Sequence, residues 1–394
     1  MRGRTRVALT AGYFATFVVF GMGVSALGPA LPSLAGQTGS TLSRVSVIIT
    51  AAASGFLLGA LAGGRLFARV PGHRVLGAVL ILTAGAAALI PAAGSLWLLT
   101  LLFLLLGTAQ GLVEVGGNSL ILWVHSRRPG PYVNALHFFF GVGALLAPAG
   151  VALALSTTGK VAWFYWAFAL LALAVAGLIL LLPSPRRPEE ASGVRGGNSL
   201  ARSVTLLVAL AALFYLLYAG IEHSFGDWIA SYAQVRQMAS AARSALFVSA
   251  FWAAITAGRL LAVPASARVP PQAILAAALV GALLSVAVVL VWPGTGWVLW
   301  AGTLGLGLAL APIFPTMLAL MGRRAGVSSQ AASWYFAGSG VGKMTVPWTI
   351  GQLLESAGPQ SLFVVIGVLL AAALVLFAVL TGIQVPQGER AAAV

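Results

Sequence analysis

Gln110, Glu114 and Asn118 stand four residues apart in "TAQGLVEVGGNSLI" (108–121), a run otherwise made of apolar and small residues. On a helix, positions i, i+4 and i+8 share one face, so the three form a polar stripe. Its two amides both donate and accept hydrogen bonds, and its carboxylate accepts them, which suits a polyhydroxylated ligand. Lys343 stands at the centre of the apolar "GSGVGKMTVPW" (338–348), and the chain's other lysine is Lys160. Glu222 and Asp227 lie in "GIEHSFGDWIASY" (220–232), a third apolar run. Asn134 and His137, with Phe138 and Gly141, offer one more mixed face, and Trp252 (beside Phe251 and Thr256) and Trp334 (beside Tyr335 and Ser339) offer aromatic walls. An ionisable group in a membrane helix costs roughly 2.5–3.5 kcal/mol on insertion scales, which makes function the default reading for Glu114, Glu222 and Lys343. The structural alternatives are an internal ion pair, an interfacial Asp227, a capping Asn134, a packed and hydrogen-bonded His137, and lipid-facing indoles.

A membrane setting follows from composition. The 394 residues are 60% hydrophobic and 7% charged, with a mean hydropathy of +1.00. Soluble domains carry roughly 25% charge. Apolar runs of about 20 residues recur along the whole length, each sufficient to cross a hydrocarbon core of ~30 Å. Lipid satisfies no backbone polar group, so these runs must be helices. The net charge of +15 does not point to nucleic acid, because the arginines fall singly or in pairs between apolar runs, as orientation signals do. Cysteine is absent, which excludes disulfides and thiolate metal sites. No glycine-rich loop stands in a strand–helix context, so no nucleotide site, cofactor, metal or enzymatic activity is expected. The opening "MRGRTR" and its apolar run exceed the core of a signal peptide and read as a retained first helix.

Breaks at polar, Gly or Pro residues divide the chain into twelve predicted helices. They lie near 7–34, 43–70, 74–93, 97–125, 131–156 and 161–183, then 203–232, 244–267, 271–292, 296–322, 328–355 and 359–384. The fold class expected is an all-α polytopic membrane protein built as two pseudo-symmetric six-helix bundles. Residues 1–183 form the first bundle, 184–202 a polar linker, and 203–394 the second. "GRLFARVP" (64–71) recurs as "GRLLAVPA" (258–265), 194 positions on, and "GVGALLAP" (141–148) recurs as "GVGKMTVP" (340–347), 199 positions on. Two matches at nearly one offset indicate an internal duplication. In the second pair Lys343 replaces Ala144. With a cytoplasmic N-terminus, seventeen arginines (Arg259 among them) fall inside and four cations (Arg44, Lys160, Arg236 and Arg243) outside, with Lys343 in the membrane. That bias places both termini in the cytoplasm.

Several of these stretches resemble one known group. "GRLFARVPGHR" (64–74) resembles the loop signature between helices two and three of the major facilitator superfamily, departing from it where Ala68 replaces the usual Asp. "GLVEVGGNSLI" (111–121), "NALHFFFGVGALLAP" (134–148), "GIEHSFGDWIASY" (220–232) and "PIFPTML" (312–318) are similar to the fucose-permease and sodium-dependent glucose transporter branch, over nearly the whole chain. The resemblance implies a secondary transporter in a cell (inner) membrane, a monomer working by alternating access at one central site. Its cargo would be a small polar solute, a sugar, coupled to a proton or to sodium. Fucose permeases use an acid in helix four, which falls on Glu114. The acid they carry in the first helix has no counterpart near Gly28, and Glu222 could take its part.

The substrate-binding set is therefore Gln110, Glu114, Asn118, Asn134, His137, Trp252 and Trp334, and the cation-coupling set is Glu114, Glu222 and Lys343. Three readings of Lys343 stay open: a partner for Glu222 or Glu114, an anchor for an acidic solute, or a tethered cation standing where sodium binds in relatives. The alternative function is a proton-driven exporter of amphipathic drugs or organic anions, whose cavity should hold few amides.

Overall fold

The computed structural model describes residues 3–126, 130–185, 202–266, 268–325 and 329–383, and the described chain is helical without a strand. The helices are α1 (Gly3–Ser25), α2 (Leu27–Thr38), α3 (Leu42–Val45), α4 (Val47–Arg69), α5 (Gly72–Leu89), α6 (Leu96–Val124), α7 (Gly130–Thr158) and α8 (Ala162–Leu181). They continue as α9 (Arg202–Val235), α10 (Ala241–Ser266), α11 (Pro271–Val291), α12 (Gly296–Leu310), α13 (Ile313–Ala325), α14 (Ser329–Ser356) and α15 (Ser361–Gly382).

Proline accounts for the two elements beyond a simple twelve-helix plan that matter here. The first expected helix breaks between Ser25 and Leu27, where Pro29 has no N–H to offer the Ser25 carbonyl. It then runs past the expected end and stops at Gly39, whose φ of 60° lets its N–H reach the Ala35 and Gly36 carbonyls. That left-handed stop is one glycine supplies without steric cost. The tenth breaks into α12 and α13 at Ala311 and Pro312, for the same missing donor. Ser95 opens α6 by accepting from the Leu98 N–H at 3.3 Å, an ordinary N-cap.

Among the described residues, eleven stretches are long and apolar enough to cross a membrane. Of the described helices of 18 residues or more, the one outside that set is α14. It is 28 residues long, but it carries Lys343 and Glu355 among serines and threonines. The helix richest in polar groups is thus the one that carries the lysine.

Two compact units emerge from the packing. The first comprises Met1–Gly193 with Ala239–Ser249, and the second Val194–Met238 with Ala250–Val394. Most of the expected linker, 184–202, lies outside the described residues. Within the first unit α4 packs on α6, α1 on α7 and α5 on α8; within the second α9 packs on α14 and α15, and α11 on α12.

Glycine sets how closely these pairs approach. A Cβ on Gly143 of α7 would lie 2.1 Å from the Val18 carbonyl oxygen of α1, and one on Gly21 would lie 2.0 Å from that of Phe140. The second unit repeats this crossing, with Gly342 of α14 against the Leu216 oxygen of α9 at 2.0 Å. Any side chain there would collide with backbone, so the helix axes are as close as they are only because both positions are glycine. Gly143 and Gly342 are the third residues of the two repeated "GVG" motifs. The duplication seen in sequence is therefore a duplicated helix crossing.

Candidate functional site

The polar stripe of α6 lies against α1. Gln110, Glu114 and Asn118 are all half-buried. The Gln110 amide occupies the space that a side chain on Gly23 would need, its Nε2 being 2.9 Å from such a Cβ. Two turns along, Asn118 Nδ2 donates to the Glu114 carbonyl at 2.8 Å, which fixes the amide's rotamer. Between them Phe17 of α1 presses on Gly117, whose Cβ would meet the ring at 2.2 Å. The same ring stands edge-on to His137 of α7, centroids 5.7 Å apart. Phe17 thus stands between Gly117 of α6, beside the stripe, and His137 of α7, a link that no spacing rule in the sequence reveals. Asn134 and His137 are exposed on α7, as is Phe138.

Charges cluster in the second unit instead. Glu222 of α9 is paired with Arg259 of α10, Nη2 to Oε1 3.5 Å, and the two side chains are 7% and 38% exposed. The sequence count places Arg259 at the cytoplasmic surface. The structure places it inside the apolar stretch Ala241–Ser266, within reach of the α9 carboxylate. The buried Tyr218 hydroxyl, one turn before Glu222, lies beside both charges but closes no hydrogen bond of ordinary geometry among the described residues. On the adjacent face of α9, His223 Nδ1–H donates to the Ala219 carbonyl one turn back, 3.1 Å away. His223 lies within electrostatic reach of Lys343 and of Arg259. Lys343 is half-buried, and the Gly342 crossing brings it to that face. Asp227 is half-buried one turn beyond His223.

Of the expected aromatic walls, Trp252 is buried near His223, ring centroids 6.5 Å apart, and its indole edge covers Gly226. Trp334 is 58% exposed, while its neighbours Tyr335 and Ser339 are buried. Sequence reasoning missed Arg259, Tyr218, His223 and Phe17. The signals available were the i, i+4 spacing of Tyr218 and Glu222 for the tyrosine and the recurrence of "GRL" for Arg259.

The family model described as Major Facilitator Superfamily matches residues 13–333. The chain belongs to the Major Facilitator Superfamily. Its function is accordingly transport of a small solute across a membrane, with no enzymatic chemistry, and it is a multi-pass membrane protein. It is similar to sodium-dependent glucose transporter 1A of Mus musculus, 28% identical over 376 residues, covering 86% of this chain and 88% of that protein. This supports the sugar-transporter branch that the sequence motifs resemble. Among solved structures, a point variant of the nucleoside transporter NupG superposes with a TM-score of 0.78 at 13% identity, covering 95% of this chain and 99% of that one. A D-xylose-proton symporter gives a TM-score of 0.78 at 13% identity, over 94% and 97% of the two chains. At such identities the two structures speak for the fold alone. All are transporters of one architecture.

Proposed function

We propose that this protein is a secondary active transporter that moves a sugar by alternating access, coupled to a cation, with the proton the favoured ion. The observation that carries the reading is the α6 stripe. Gln110, Glu114 and Asn118 lie half-buried on one helix face, and Phe17 stands between the neighbouring Gly117 and His137. A sugar presents hydroxyls that donate and accept and a ring face that stacks, and amides beside aromatic rings match both. The relatives named sodium-dependent glucose transporters add weight to the sugar. Glu114 serves the solute; Glu222 carries the coupling proton, with Lys343 close enough to shape its surroundings. One proton moved through 100 mV supplies ~2.3 kcal/mol, sufficient for roughly 50-fold accumulation. In this reading both termini are cytoplasmic, and the protein works as a monomer in a cell membrane.

A thermal-shift screen of the purified protein against neutral sugars, sugar acids and amphipathic cations tests the reading. At a hundred times Kd, a ligand that binds only the folded state stabilises it by about 2.7 kcal/mol. D-Glucose or another neutral sugar should raise Tm, and Asn118→Ala should weaken the effect. Stabilisation by amphipathic cations alone would replace the sugar transporter with the exporter.

A further inference from the structure

From Tyr218 to Ala233 every residue of α9 is buried except His223 and Asp227, which are half-buried. Four residues apart, the two share one helix face, and their Cβ atoms are about 5–6 Å from each other. In a membrane helix such a face meets protein or water rather than lipid. Gly226 lies between them. Having no Cβ, it lets the Trp252 indole of α10 lie against α9, its Nε1 3.7 Å from where a Cβ would stand. The same indole stands edge-on to the His223 ring. One accessible strip of α9 thus carries a histidine and an aspartate beside a flat aromatic wall.

The architecture requires neither group. The duplicated crossing aligns the halves by packing: Gly143 meets Val18 and Met22, and Gly342 meets Leu216 and Gly220. The α1 residues thus correspond to α9 residues 198 positions on. Val24 then stands where α9 has Glu222, Ser25 where it has His223, and Pro29 where it has Asp227. Ser25 is buried and spends its hydroxyl on the Gly21 carbonyl at 3.1 Å. Pro29 has no polar side chain to offer.

We propose that His223 and Asp227 form a hydroxyl-reading subsite within the C-terminal half, binding two hydroxyls of one sugar ring against the Trp252 indole. This deepens the proposed function and rests on its sugar reading. The chemistry of the pair selects the ligand. A carbonyl can only accept, so His223 Nδ1 carries the hydrogen that reaches Ala219, and the neutral ring keeps a lone pair on Nε2. Asp227, as a carboxylate, accepts at both oxygens. Both groups therefore call for donors, which adjacent sugar hydroxyls supply, while the apolar face of the sugar ring suits the indole.

No group of the protein already satisfies the aspartate. Asp227 makes no hydrogen bond or ion pair among the described residues. Arg259 is taken up by Glu222. Lys343 sits too far back along the helix pair. Gly338 meets Ala212, Gly342 meets Leu216 and Gly220 meets Val346, a register that sets Lys343 level with Leu217. Asp227 lies ten residues further along α9, a rise of ~15 Å.

The test is calorimetric binding of D-glucose, its singly deoxygenated analogues and D-glucosamine to the purified full chain, as wild type, Asp227→Ala, Asp227→Asn and His223→Phe. At least one deoxy analogue should bind the wild type roughly tenfold or more weaker than D-glucose, because a site built to bond a hydroxyl rejects the analogue without it. In Asp227→Ala, D-glucose should weaken to within about twofold of that analogue, and Asp227→Asn should lose part of the discrimination. His223→Phe should lose discrimination at a different hydroxyl. A merely structural role would instead weaken every sugar alike. Variants that rank the deoxy sugars as the wild type does would overturn the subsite. So would D-glucosamine binding tightest and losing its advantage in Asp227→Ala, because the pair then reads an ammonium. Should Asp227→Ala fail to fold, Asp227→Asn decides the matter by the same ranking. Wild-type protein that binds no sugar of the panel would sink the sugar reading and the subsite with it, whereas unchanged ranking in the variants sinks the subsite alone.

Discussion

The two halves use one helix crossing and fill its surroundings with opposite chemistry. Around the α1–α7 crossing stand Phe20 and Val24, and the nearby polar groups are the α6 stripe and His137. Around the α9–α14 crossing stand Tyr218, Glu222, His223 and Lys343, with Arg259 answering from α10. What is common is backbone touching backbone at glycine; what differs is every side chain one turn away. The crossing is a geometric device that tolerates either chemistry. In the proposed function the hydrogen-bonding groups of the N-terminal half read hydroxyls and the charged groups at the C-terminal crossing read protons. That division of labour is what a solute-plus-cation transporter needs, because the two ligands then bias different groups.

The harshest way to break the comparison is at the crossings. Gly143→Val and Gly342→Val each place a Cβ about 2 Å from a carbonyl oxygen, so both should abolish folded protein on size-exclusion chromatography. Gly340→Ala, where a Cβ meets open space, should leave the elution profile unchanged. If only one of the two valine variants collapses, the crossings are not equivalent. Next in size, Val24→Glu puts the C-terminal half's acid into the N-terminal half, where its counterpart arginine, Arg65, lies exposed at a helix end. It should cost about 2.5–3.5 kcal/mol in unfolding measurements, and a silent substitution would show that the halves are chemically interchangeable there.

A smaller effect sharpens the hydrogen-bonding side. Asn118→Ala should weaken sugar binding by about 1–3 kcal/mol, read by calorimetry, while Thr157→Ala, on an exposed turn, should leave it unchanged. The smallest effect concerns a buried histidine just past the end of α6. The Thr10 hydroxyl donates to the Arg6 carbonyl, so it accepts from His125 Nε2 at 2.8 Å. His125 Nδ1 meets no partner among the described residues. Burial, and then the nearby Arg6 charge, lower the ring's pKa below the ordinary value of 6.5. The folded state therefore resists the proton that the unfolded chain accepts. Stability from this contact is complete above about pH 6.5 and declines as the pH falls below it. His125→Gln should flatten the acid limb of the Tm–pH profile and leave the neutral limb in place.

Local pattern was enough for much of this molecule. Apolar runs of membrane length fixed the helices, because lipid leaves the backbone no alternative. The spacing of Gln110, Glu114 and Asn118 fixed a shared face, because helical periodicity is a local property. The repeated "GVG" and "GRL" motifs announced the duplication. Tertiary structure decided which helix each face meets. From sequence Arg259 belongs with the cytoplasmic arginines, and only the packing of α10 beside α9 brings it to Glu222. The same holds for Phe17, which joins Gly117 to His137 through contacts of three helices distant in sequence. Periodicity states where on a helix a group points. The partner waiting there is set by how closely two backbones approach, and in both halves a glycine and the helix opposite it decide that jointly.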